Sequence, residues 1–267
     1  MEHILLRPDT YVGSIEPDEA KLWVFNSEKN EMEYRQIRYV PGLYKIFDEI
    51  LVNAVDNYQR DKKMNRIEVN IDKEAGSISV MNNGKGIPVA MHPEHGVYIP
   101  EMIFGQLLTS SNYDDTKKKV TGGRNGYGAK LANVFSHTFV VECADSERRK
   151  ELSVTWKKNM TTKSEAKVKM YTKGSDFTRV TFFPDFPRFG MTGFDQDILD
   201  LFTKRVYDMS GITRAGVKVY INGTLVPVKT FRDYMDLYLK NSDKPKLFET
   251  VSDRWQIGFT FSEGLFN

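Results

Sequence analysis

Between residues 41 and 60 the apolar side chains Leu43, Ile46, Phe47, Ile50, Leu51, Ala54, Val55 and Tyr58 recur at steps of three and four, which puts them on one stripe of an α-helix. The polar residues of the stretch fall on a neighbouring face, where Glu49, Asn53, Asp56 and Arg60 stack along the axis with Asn57 beside them. Asn and Asp weaken helices because they compete for local backbone hydrogen bonds. Two readings of that face stay open: a solvated surface, or a wall chosen for chemistry.

After this helix the period changes. Residues 66–71 and 77–81 alternate as two strands and predict a hairpin, which opens into Asn82, Asn83, Gly84, Lys85, Gly86, Ile87 and Pro88. A short helix is predicted over 100–108, with Pro100 at its start where a missing N–H costs nothing. Residues 109–123 are polar, turn-rich and without period, the pattern of a lid or a loop. Gly123, Gly126 and Gly128 then lead into a segment of helical character over 131–136. Strands are predicted over 138–144, 151–157, 167–172 and 177–183, and a helix over 195–210 carries Ile198, Leu199, Phe202, Val206 and Met209 on one side. A strand over 217–222 closes on an Asn222-Gly223 turn, and a helix near 231–239 and a strand over 255–261 follow. Residues 1–40 show little regular period, and 7–14 read as an extended arm ending in a turn at Gly13. The predicted class is α+β, helices on a mostly antiparallel sheet, with one domain over 1–226 and the beginning of a second over 227–267.

Composition narrows the classes without choosing among them. A chain of 267 residues with 40% hydrophobic and 28% charged content is long enough for a sizeable core and excludes a disordered or collagenous class. A net charge of +2 is too mild to mark a nucleic-acid binder, so any such contact needs local patches such as Lys117-Lys118-Lys119 or Lys157-Lys158. No apolar run approaches the ~18 residues of a membrane span, and the first residues lack a signal peptide's apolar stretch, so the expectation is an intracellular protein with no membrane partner. The lone Cys143 excludes an internal disulfide framework and a multi-cysteine zinc site, and its expected role is packing.

The glycines after residue 120 look like a phosphate loop but match neither common kind. A Walker loop places its lysine directly after the last glycine and a hydroxyl next, whereas here Ala129 intervenes and Leu131 takes the hydroxyl's place. The spacing of a dinucleotide fingerprint is reversed. Glycines that let backbone N–H groups approach closely, followed by a helix and Lys130, still suit phosphates, and a plain turn is the other reading.

Three elements in order carry a resemblance: Glu49, Asn53 and Asp56 on a helix, Asn82, Gly84 and Gly86 after a strand, and Gly123, Gly126 and Gly128 before a helix. Together they resemble the GHKL ATPases, of gyrase, chaperone, sensor-kinase and mismatch-repair type. The segments 46–53, 107–115 and 121–130 are similar, more narrowly, to the N-terminal ATPase region of eukaryotic type IIA DNA topoisomerases. The resemblance spans nearly the whole chain and implies a Bergerat-type sandwich followed by a transducer domain. It implies ATP and Mg²⁺ as cofactors, Glu49 as the general base that activates water, and Asn53 as the Mg²⁺ ligand. Asp56 and Asn57 would line the same wall, Arg60 would approach the phosphates, and Asn82, which stands where many relatives have Asp, would read adenine. Ile87, Ile103 and Phe104 would form apolar walls, with Thr178 near the base. Ser110, Ser111 and Asn112 would meet ribose and phosphate, and Arg124, Asn125, Gly126, Tyr127, Gly128 and Lys130 would wrap the triphosphate. It further implies a homodimer acting on DNA in the nucleus. A second-domain glutamine and lysine and a DNA-cleaving tyrosine, also implied, do not fall within these residues. The rivals are a chaperone or mismatch-repair ATPase and a nucleotide-gated clamp without meaningful catalysis.

Overall fold

A computed structural model describes residues 2–106, 127–172, 174–213, 216–239, 244–252 and 255–261. In chain order the elements are α1 (Glu2–Leu6), β1 (Asp18–Asn26), β2 (Glu31–Tyr39), α2 (Pro41–Arg60), β3 (Arg66–Asp72), β4 (Ser77–Asn83), α3 (Ile99–Gly105) and α4 (Gly128–Val134). There follow β5 (Ser136–Asp145), β6 (Lys150–Lys157), β7 (Thr162–Lys163), β8 (Lys167–Met170), β9 (Phe177–Pro184), α5 (Gln196–Ile212), β10 (Lys218–Ile221), β11 (Thr224–Leu225), α6 (Phe231–Asp236), β12 (Lys246–Ser252) and β13 (Trp255–Thr260).

The fold is α+β. Nine strands form one sheet in the order β11-β10-β3-β4-β9-β5-β6-β7, with β8 beside β6. Its pairs are antiparallel except β3 with β10, which run in the same direction. Alternate residues of the central strands are buried, Ile67 and Val69 on β3, Ile78, Val80 and Asn82 on β4, Phe139, Val141 and Cys143 on β5, Val180 and Phe182 on β9, so one sheet face is covered. The cover is helical, with α2 against β4 and β9, α4 against β5 and α5 against β10.

The stripe on α2 is the anchor of that layer. Leu43, Ile46, Phe47 and Leu51 are wholly buried, and each such side chain contributes ~1.5–3 kcal/mol of burial. Pro41 occupies the first helical turn, and the helix ends where the Asp61 N–H donates to the Asn57 carbonyl. Its rotation is therefore fixed by the core, which in turn fixes where its polar face looks.

The chain departs from expectation near both of its ends. Residues 18–39, which show no clear period, form the β1–β2 hairpin, in register from Asp18 opposite Tyr39 to Asn26 opposite Glu31. On β1 the buried side chains Val24 and Phe25 are neighbours, so the strand has no period of two to detect. The hairpin packs on α5, where Arg35 donates to Asp197 Oδ1 (2.6 Å) and Asp200 Oδ2 (2.8 Å). β12, also unforeseen, pairs with β13 as a separate two-stranded sheet and is mostly exposed.

Candidate active site

Strands build one end of the site. Asn82, 5% exposed, lies directly opposite Thr178 on β9, and Thr178 lies opposite Cys143 on β5. Three side chains thus share one short stretch of sheet. Asn82 Nδ2 donates to the Asn83 carbonyl at 3.1 Å, and Asn57 Nδ2 reaches the same oxygen from α2 at 3.4 Å. Burial pushes the Cys143 thiol up to about 12, so it stays neutral and packs.

The loop after β4 is held tightly over the strand ends. Gly84 has φ +89, and a Cβ there would stand 2.8 Å from the Met64 Cβ. A Cβ on Gly86 would stand 3.2 Å from the Ala144 carbonyl oxygen and 3.3 Å from that of Phe177. Two carboxylates pin the loop's course. Asp61, just past the end of α2, accepts the Lys85 N–H at 2.6 Å and the Lys63 N–H at 2.9 Å, and these bonds hold its carboxyl below the usual range. Asp145, at the end of β5, accepts from the N–H groups of Val89 (2.9 Å) and Arg148 (3.0 Å) and from the Arg148 guanidinium (3.0 Å). Burial alone would raise its carboxyl, and those donors together hold it low. Sequence reading passed over both aspartates. The available hint was local, an Asp directly after a helix and another directly after a strand, each beside a glycine-rich or basic turn.

Helices build the other end. Glu49, its side chain 22% exposed, forms an ion pair through Oε1 with Lys45 Nζ one turn earlier on α2. One turn later Asn53 is exposed on the same side, Asp56 and Asn57 are half-buried, and Arg60 is exposed in the last turn. Gly128 opens α4 against this face, and a Cβ on it would run into the Glu49 carboxylate at Oε2. Only glycine leaves the carboxylate where it is. Two residues on, Lys130 is 1% exposed, and burial pushes its amine down to about 8. Tyr127, half-buried, precedes Gly128.

The apolar candidates divide. Ile87 and Ile103 are half-buried against the core, whereas Phe104 is buried in it, its ring 6.2 Å from that of Phe139. Asn133 Nδ2 donates to the Phe104 carbonyl at 3.0 Å and so ties α4 to α3. Ser110, Ser111, Asn112, Arg124, Asn125, Gly126 and the lysine run at 117–119 lie outside the described residues.

This arrangement sets the Glu49 carboxylate against the Gly128 backbone, with the buried Lys130 two residues further on α4 and Asn53 one turn along α2. Among the described residues no group of three or more His, Cys, Asp or Glu side chains could hold a metal by itself. A side-chain amide oxygen on an exposed helix face, as at Asn53, fits Mg²⁺, a hard ion that takes few protein ligands and keeps phosphate and water oxygens for the rest.

Residues 39–188 match the family described as histidine kinase-, DNA gyrase B-, and HSP90-like ATPase. The chain is 54% identical over its whole length to DNA topoisomerase 2 of Arabidopsis thaliana, of which it spans 18%. It is also 54% identical over 98% of its length to DNA topoisomerase 2-beta of Homo sapiens, spanning 16% of that protein. The crystal structure of the ATPase region of Saccharomyces cerevisiae topoisomerase II superposes with a TM-score of 0.95 at 50% identity, covering 98% of this chain and 69% of that one.

Proposed function

This chain belongs to the histidine kinase-, DNA gyrase B-, and HSP90-like ATPase family, and from that premise we propose that it binds and hydrolyses ATP as the nucleotide-driven part of a eukaryotic DNA topoisomerase II. The observation that carries the reading is the closure of Gly128 on the Glu49 carboxylate, which brings a proton acceptor to the glycine segment that also bears Lys130.

On this reading Asn82 and Thr178 receive the adenine, with Gly84 and Gly86 letting the backbone pass beneath it. Asn82 offers both an amide oxygen and an amide N–H₂ to the base edge. Ile87 and Ile103 give it apolar walls. The triphosphate runs toward α4, where the close-packed Gly128 backbone, the Lys130 amine and Tyr127 meet it. Asp56, Asn57 and Arg60 belong to the α2 wall of the same pocket. Mg²⁺, bound with the nucleotide, supplies charge neutralisation at the phosphates, and Asn53 is the residue that would hold it.

Glu49 takes a proton from water as the water oxygen bonds to the γ-phosphorus. The bond from that phosphorus to the β,γ-bridging oxygen breaks, its electron pair leaves on ADP, and phosphate departs with the new oxygen. Within the longer protein we infer that nucleotide-driven closure of a homodimer gate passes one DNA duplex through another, in the nucleus. Identity to DNA topoisomerase 2 proteins over the whole chain supports this. No helix of the described residues is long and apolar enough to cross a membrane.

Replacing Glu49 by Ala tests the reading. General-base catalysis contributes ~10²–10⁴-fold, so hydrolysis should fall by about that factor while ATP binding persists. Hydrolysis at the parent rate would remove Glu49 as the base, whereas binding with negligible turnover in both the parent and the variant would leave a nucleotide-gated clamp as the better description.

A further inference from the structure

A glutamate has three rotatable side-chain bonds, and a base that must meet a water molecule in line with phosphorus cannot be left to sample them all. In this site the Glu49 carboxylate is held from two sides. Gly128 blocks the space beyond Oε2, and Lys45 Nζ takes Oε1. The second contact has no evident value for the helix itself. Lys at i with Glu at i+4 is the weaker order for helix stability, and exposed pairs of either order contribute only ~0.2–0.5 kcal/mol. Lys45 is 43% exposed, so it fills no core space either.

We propose that Lys45 is a positioning residue for hydrolysis: its ammonium holds one oxygen of Glu49 so that the carboxylate keeps a single orientation against Gly128, aimed at the water. Lys45, Glu49 and Asn53 then form one line along α2, in which the first aims, the second accepts the proton and the third meets the metal. Lys45 touches neither the water nor the phosphates and acts through Glu49 alone. The inference rests on the reading of Glu49 as the base.

The test is ATP hydrolysis and ATP binding by the Lys45→Met, Lys45→Arg, Glu49→Gln and Lys45→Met/Glu49→Gln variants. Lys45→Met should lower kcat about tenfold to a hundredfold, the scale of a misplaced catalytic group, with KM for ATP within about twofold of the parent. Lys45→Arg, which keeps the charge and a donor fork, should recover most of the loss. In the Glu49→Gln background Lys45→Met should cost nothing further, because the group it aims is gone. A Lys45→Met variant with full kcat overturns the inference, as does a rise in KM at unchanged kcat, which would make Lys45 a nucleotide contact. An equal loss in both backgrounds overturns it too, since Lys45 would then act independently of Glu49. If Glu49→Gln itself hydrolyses ATP normally, the functional reading fails first, and that result is distinct from failure of Lys45 alone.

Discussion

At the end of the candidate site built on strands Asn82 and Thr178 face each other across two hydrogen-bonded strands, whereas at the end built on helices Glu49 and Lys130 stand on separate helices, α2 and α4. The strand end is held by backbone: the pairs on either side of Asn82 and Thr178, and the N–H groups that Asp61 and Asp145 receive. The helix end is held by side chains meeting at a surface, an ion pair from Lys45 and a glycine pressed on a carboxylate. A ladder of main-chain bonds suits the part that must recognise one shape. On the proposed reading a contact between helices suits the part that meets a charged ligand, because a small shift of α4 against α2 would redirect Glu49 without breaking the sheet.

The sharpest way to break this comparison is Gly128→Ala. The backbone at Gly128 is not left-handed, and alanine improves a helix over glycine by ~1 kcal/mol, so folding should be unharmed. Its Cβ displaces the end of the Glu49 side chain, and a 1 Å misplacement of a catalytic group costs ~10²-fold, about 3 kcal/mol of barrier. A kcat loss of that size at unchanged or higher melting temperature would show the helix end failing alone. Asp145→Asn strikes the other end: the amide can replace only some of its three bonds, and buried groups left without partners cost ~1–3 kcal/mol. Chemical denaturation should show that loss, with KM for ATP raised roughly tenfold and kcat at saturation kept.

Lys130 sharpens the contrast through pH. Its amine, ordinarily near 10.5, sits at about 8 in the fold, so the folded protein holds fewer protons than the unfolded chain between those values. The cost of charging it is full below pH 8 and fades as pH rises toward 10.5. A triphosphate beside it favours the charged form. ATP binding should therefore take up protons between about pH 8 and pH 10 and none near pH 6, which calorimetry in buffers of different ionisation enthalpy would read. Lys130→Met should abolish that proton uptake while weakening ATP binding. The smallest effect is expected at Arg60, exposed at the end of α2, where Ala should change stability by no more than ~0.5 kcal/mol.

What could be read in the sequence follows the same division. α2 was legible to its ends because its buried stripe has the helical period and Pro41 marks its start, and β4, β5 and β9 were legible by alternation. The β1–β2 hairpin was not, since its burial is set by α5 and not by a two-sided sheet. Within the candidate site, Asn53 and the glycines stood out by residue type and order, whereas a role for Glu49 came only with the resemblance. Asp61 and Asp145 did not, because their partners are main-chain N–H groups that every residue but proline carries. The meeting of Gly128 with Glu49 is a tertiary fact between elements far apart in the chain, and spacing alone contains no trace of it.

One further contact of α2 lies beside its base. Asp48 accepts from Arg205 Nε on α5 at 2.7 Å, Arg205 Nη1 stands 3.6 Å from Asp208 Oδ2, and the Tyr234 hydroxyl on α6 donates to Asp208 Oδ1 at 2.7 Å. Asp48 and Glu49 are consecutive residues on one helix, so a turn of that helix that re-aims Glu49 would also pull on the Arg205 guanidinium, and through Asp208 on the tyrosine. The linkage runs both ways, as every equilibrium coupling must. A load applied at α6 would be felt as torque on α2, and on the proposed reading the water that Glu49 activates would then answer to a force applied to another helix.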